Sequence, residues 1–154
     1  MKRLFAGLDT QNLLVQPKWL AIVACMDSRI SPLAAVGMQA GDAKILRNAV
    51  SRVINDVLRN LVLASYLLRV SRVLVTPHTD CRMALSDEAS LHATISEQFL
   101  VDTSSLEFHT VSNQCEALAE DVARIRSFPL LQKGISVAGA IYNVSTGQLE
   151  PVDC

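Results

Sequence analysis

The chain has 154 residues, half of them apolar, and its 14 basic and 15 acidic side chains leave a formal net charge of −1. That is the length of one domain with apolar material for a core; it excludes a disordered chain and gives no electrostatic case for binding nucleic acid. No apolar run approaches the roughly 20 residues of a membrane-crossing helix, and the start Met1-Lys2-Arg3-Leu4-Phe5-Ala6-Gly7-Leu8 meets Asp9 before a signal core develops, so no membrane partner and a cytoplasmic location are expected.

Residues 1–18 read as an N-terminal arm, closing at Pro17-Lys18. Leu20 to Cys25 is an apolar run of strand length, suited to burial on both faces. Ser31-Pro32 can open a helix, because Ser caps well and Pro suits the first helical position; that helix should end near Gly37. Gly41-Asp42 is a turn, and Ala43 to Arg47 reads as a second strand. From Arg52 to Val70 the apolar positions Val53, Val57, Leu58, Leu61, Ala64 and Leu68 follow helical spacing. Further Leu and Val residues make this helix apolar on more than one face, so it is either central or part of a subunit contact.

Val73 to Pro77 is a third strand. Ser86 to Phe99 reads as a helix opening with acids, which suit its N-terminal dipole. Residues 100–112 are ambiguous between strand and connection. Gln114 to Ser127 is helical, with Leu118, Val122 and Ile125 on one side, and Phe128-Pro129 ends it. Gly134 to Val144 reads as a strand, followed by a Ser145-Thr146-Gly147 turn and a short extended piece. Strand–helix alternation predicts an α/β fold with a largely parallel sheet, in one domain over residues 1–154.

Two clusters carry the chemistry. Cys25-Met26-Asp27-Ser28-Arg29 follows the first strand and His78-Thr79-Asp80-Cys81 follows the third. Ligands of parallel sheets collect at the carboxyl ends of strands, so Cys25, His78 and Cys81 should converge. Two thiolates and an imidazole suit zinc, and three protein ligands leave a fourth position open, as in catalytic sites. Asp27 and Arg29 can pair, since the guanidinium fork fits a carboxylate. Asp27 could then accept a hydrogen bond from a zinc-bound hydroxide or take the fourth position itself. Asp80 is a further candidate ligand, more simply read as a loop-capping residue. His92 and His109 have no partner by spacing and read as structural. Without an export signal, the four cysteines read as thiols or ligands rather than a disulfide framework; Cys115 reads as a small buried apolar residue and Cys154 as a terminal thiol.

The blocks Cys25-Met26-Asp27-Ser28-Arg29, Gly41-Asp42…Leu46-Arg47-Asn48-Ala49 and His78-Thr79-Asp80-Cys81 resemble, in order and spacing, the signatures of β-class carbonic anhydrases. The resemblance runs from about Trp19 to Met83, with a weaker fit beyond. It implies a four- or five-stranded, mainly parallel sheet flanked by helices, with Cys25, His78 and Cys81 on zinc and Asp27 and Arg29 as an active-site dyad. It further implies homodimers or dimers of dimers, and reversible hydration of CO2 to bicarbonate by zinc-bound hydroxide. In the closed form of that family, Asp27 would move onto zinc once its bond to Arg29 breaks. The same scaffold also supports hydrolysis of CS2 or COS, and a zinc-binding homologue with little catalysis is the third possibility. Two departures bear on this. The family usually has Gly after the second zinc cysteine and after Arg-Asn-Ala, often as a pair; here Arg82 and Val50-Ser51 stand there. A β-branched residue at positive φ is strained, so either the backbone differs locally or a crevice beside the metal is filled.

Overall fold

The computed structural model describes residues 19–84 and 86–152; the expected arm over residues 1–18 and the terminal Cys154 lie outside them. The elements run β1 (Leu20–Cys25), α1 (Pro32–Ala35), β2 (Ala43–Asn48), α2 (Asn55–Leu67), β3 (Arg72–Thr76), α3 (Glu88–Phe99), α4 (Gln114–Ser127), β4 (Ser136–Gly139), β5 (Ile141–Asn143) and β6 (Gln148–Glu150). Four strands form one parallel sheet in the order β2–β1–β3–β4. Parallel neighbours require crossovers, and the helices supply them.

β1 is central and buried along its whole length, which is why it reads as an unbroken apolar run. Its side chains alternate between two apolar clusters. Ala21 and Val23 face α2 and α4 through Val57, Leu61, Leu118, Val122 and Ile125. Leu20, Ile22 and Ala24 face Val36 and Met38 beyond α1. The chain leaves β1 toward β2 on one side and returns to β3 on the other. The gap between the carboxyl ends of β1 and β3 is therefore the topological switch point, where open α/β sheets bind ligands.

α2 is apolar on two sides. Val57, Leu58, Leu61 and Ala64 are buried on one side, while Leu63, Tyr66 and Leu67, with Leu68 just beyond, are exposed on the other. α3 is capped by Asp87, whose carboxylate accepts from Ser90 N–H, and buries none of its residues. Residues 100–112 form turns without helix or strand.

Four expectations need correction. The strand expected over Gly134–Val144 breaks at Ala140 into β4 and β5, and β5 pairs antiparallel with β6. β3 ends at Thr76 because Pro77 has no N–H to continue the ladder; Tyr142 N–H instead donates to the Pro77 carbonyl at 2.8 Å. Cys115 is half-buried and disulfide-bonded, neither a free thiol nor a core residue. The helix expected from Arg52 starts only at Asn55, because the Val50-Ser51 turn occupies the preceding residues. No helix among the described residues is long and apolar enough to cross a membrane.

Candidate metal centre

β1 delivers Cys25 at its last residue, and β3 delivers His78 two residues past its end. The Sγ atoms of Cys25 and Cys81 and a ring nitrogen of His78 all lie within 4.8 Å of one another, and all three residues are buried. His78 is pinned from both sides. Its Nδ1 lies 2.9 Å from the Thr79 carbonyl, which can only accept, so the ring proton sits on Nδ1 and Nε2 keeps its lone pair. Its own carbonyl accepts from Gln114 Nε2 at 2.6 Å. Nε2 is buried and has no hydrogen-bond partner among the described residues.

The two thiols titrate unequally. The neighbouring Cys81 thiol pulls the Cys25 pKa well down against its burial. Cys81 is pushed up by the Cys25 thiolate and by burial. Burial opposes charging of His78, yet the facing thiolate outweighs it and raises that pKa too. A buried imidazole with a free lone pair, facing two sulfurs that compete for protons, fits a soft divalent cation that would displace them.

Asp27 and Arg29 form the expected pair. Arg29 Nε and Nη2 donate to Asp27 at 3.0 and 2.8 Å, and Arg29 N–H adds a third bond at 2.9 Å. Those bonds hold the Asp27 carboxyl far below the usual carboxylate range, so it is an acceptor only. Asp27 Oδ2 lies 3.8 Å from His78 Nε2, beside the metal position but outside the three-residue cluster. Arg29 also reaches Asp80, through Nη1 to its carboxylate at 2.7 Å and Nη2 to its carbonyl at 2.9 Å. Asp80 is therefore a second acceptor for Arg29 and does not join the cysteine–histidine cluster. Arg82 is exposed and has no hydrogen-bond or ion-pair partner among the described residues. His92 bonds Thr103 and packs on Phe108, and His109 pairs with Glu107; neither approaches the cluster.

Several supporting residues have roles that the sequence did not assign. Arg47, at the end of β2, donates to the carbonyls of Cys25 at 2.9 Å and Asp27 at 2.6 Å, fixing the loop that carries both. The signal was its register, since Arg47 lies opposite Ala24 in the β1–β2 pair. Gln114 gave no sequence signal because it binds a backbone carbonyl.

The turn after Asn48 settles the question of Val50. Val50 and Ser51 have φ of 65° and 62°, the left-handed region natural to glycine. The backbone thus keeps a glycine conformation without glycine, at about 1–3 kcal/mol of strain per residue. The Val50 side chain is buried in a cluster with Cys25, Cys81, Val111 and Tyr142, so it fills space beside the metal position.

Residues 20–149 match the sequence profile of a family described as carbonic anhydrase. Over 145 residues the chain is 33% identical to Beta-carbonic anhydrase 1 of Mycobacterium tuberculosis, covering 88% of this chain and 82% of that one. It superposes on a crystal structure of carbonic anhydrase from Streptococcus mutans with a TM-score of 0.83 and 36% identity, over 96% of this chain and 87% of the other. It is also 25% identical over 154 residues to Carbon disulfide hydrolase of Acidithiobacillus thiooxidans, covering 86% and 76% of the two chains.

Proposed function

The chain belongs to the β-carbonic anhydrase family, and on that premise we propose that it holds one zinc ion on Cys25, His78 and Cys81 and interconverts CO2 and bicarbonate. The observation that carries this reading is His78 Nε2, buried beside two thiols and without a hydrogen-bond partner among the described residues. When bound, zinc supplies Lewis acidity that brings the pKa of water to about 7, so that hydroxide is available at neutral pH.

Asp27 does the orienting. Kept ionised by Arg29, it accepts the remaining O–H of the attacking oxygen and aims a lone pair at the substrate carbon. One C=O electron pair of CO2 moves onto its oxygen as the new C–O bond forms, and the proton lost from water passes to solvent. Arg29, held by two carboxylate residues, keeps Asp27 turned away from the metal and its charge unprotonated. Val50, Val111 and Tyr142 give the site an apolar wall, which suits a neutral linear substrate. The exposed side of α2 is the surface for a homodimer, or for a dimer of dimers.

CS2 or COS hydrolysis by the same steps is the second reading, favoured by the narrowing that Val50 imposes and by the carbon disulfide hydrolase relative. Stopped-flow CO2 hydration on protein of measured zinc content, beside a CS2 and COS consumption assay, separates the two. We expect CO2 turnover that falls on the order of 10²-fold in Asp27→Ala with zinc retained, and loss of zinc in Cys25→Ala. Consumption of CS2 or COS without CO2 turnover would reverse the substrate assignment; zinc without turnover of any of the three would leave a non-catalytic binder.

A further inference from the structure

We propose that Asp121 is a positioning residue for the metal centre, clamping the Val50-Ser51 turn from α4 so that the Val50 side chain stays packed against Cys25 and Cys81. The inference rests on the metal reading above and not on the identity of the substrate.

Asp121 is a carboxylate at 3% exposure, and nothing in the proposed chemistry touches it. Its Oδ2 lies 3.2 Å from Arg52 Nε. Arg52 directly follows the two residues at positive φ. Two further ties close the same turn: Ser51 Oγ donates to the Thr76 carbonyl at 3.1 Å, and Asn48 Nδ2 to the Arg52 carbonyl at 2.8 Å. Behind the turn lies a small pocket of about 10 Å³ lined by Val50, Arg52, Gln114 and Asp121 among others. That is room for about one water.

Glycine would hold two consecutive left-handed residues without help; Val and Ser have no such preference. The conformation therefore depends on external ties, and Asp121 is the charged, buried one. What the turn delivers is the Val50 side chain, buried in one cluster with Cys25 and Cys81. The shell around metal ligands sets their orientation and tunes the site. Removing Asp121 should free the turn to leave positive φ and carry that side chain away from the sulfurs.

Cobalt(II) binding to the full chain tests this, because the thiolate-to-cobalt absorption band reports the sulfur environment independently of turnover. Asp121→Asn should shift that band and weaken cobalt binding by about 10- to 100-fold, the scale of an outer-sphere defect. In a Val50→Gly background, where positive φ needs no support, the same change should cost less than about threefold relative to Val50→Gly alone, a non-additivity diagnostic of coupling. Equal losses in the two backgrounds, or an unchanged band in Asp121→Asn, would overturn the clamp. If Asp121→Asn alone does not fold, recovery of a folded double variant supports the clamp and its failure to fold overturns it. A wild-type chain that binds no cobalt overturns the metal reading and the clamp together.

Discussion

Val50 is subject to two opposed effects whose sizes can be compared. Its side chain is 3% exposed, and each buried carbon removed costs about 0.8 kcal/mol. Its φ of 65° costs an L-residue about 1–2 kcal/mol that glycine escapes. Val50→Ala loses two carbons and keeps most of the backbone penalty, so it should cost about 1.6 kcal/mol. Val50→Gly loses one more carbon but sheds the penalty. The glycine variant should then be at least as stable as the alanine variant, by urea denaturation, despite the larger cavity. A glycine variant clearly less stable than the alanine one would show that the turn is unstrained. At this scale Cys25, His78, Cys81, Asp27 and Arg29 were legible, because ligand chemistry is written in side-chain types. Arg47, Gln114, Ser51 and Asp121 were not, because each acts on a backbone group or through another residue, and neither relation leaves a pattern in sequence.

At the scale of elements, legibility followed periodicity. α4 runs over the residues its apolar spacing indicates, Gln114 to Ser127, and its start is fixed by Asn113, whose side chain accepts from the N–H groups of Cys115 and Glu116. β1 was equally plain. The β4–β5 break was not, since it lies opposite Pro77, just past the end of β3, where the ladder loses an N–H. α2 offers the sharpest contrast between two leucines. Leu61 is 1% exposed and Leu67 is 72% exposed. Leu61→Ala should cost about 2–5 kcal/mol by removing core contacts. Leu67→Glu should change the stability of the isolated chain by no more than about 0.5 kcal/mol while weakening self-association, read by sedimentation equilibrium. An association constant unmoved by Leu67→Glu would exclude this side of α2 from the proposed dimer contact.

For the molecule as a whole, metal binding and folding are one equilibrium, because the three proposed ligands are brought together only by the packed sheet. A ligand that binds the native state alone stabilises it by about 2.7 kcal/mol at a hundred times its dissociation constant, and for a chain of this length each kcal/mol shifts Tm by about 2–4 °C. Added zinc should raise the Tm of the wild-type protein on that scale, a chelator should reverse the rise, and Cys81→Ala should respond to neither. An equal zinc response in Cys81→Ala would place the ion elsewhere. The parallel pairing of β1 with β3, Leu20 opposite Arg72 through Ala24 opposite Thr76, gives this coupling a further meaning. Side chains alternate faces with each residue, so a slip of one residue would throw the strand's set to the opposite face. Cys25 and His78 would then no longer meet. A chain that has paired its central strands wrongly could bury much the same apolar surface and still have nowhere to put the proposed ion, so its uptake would proofread strand alignment.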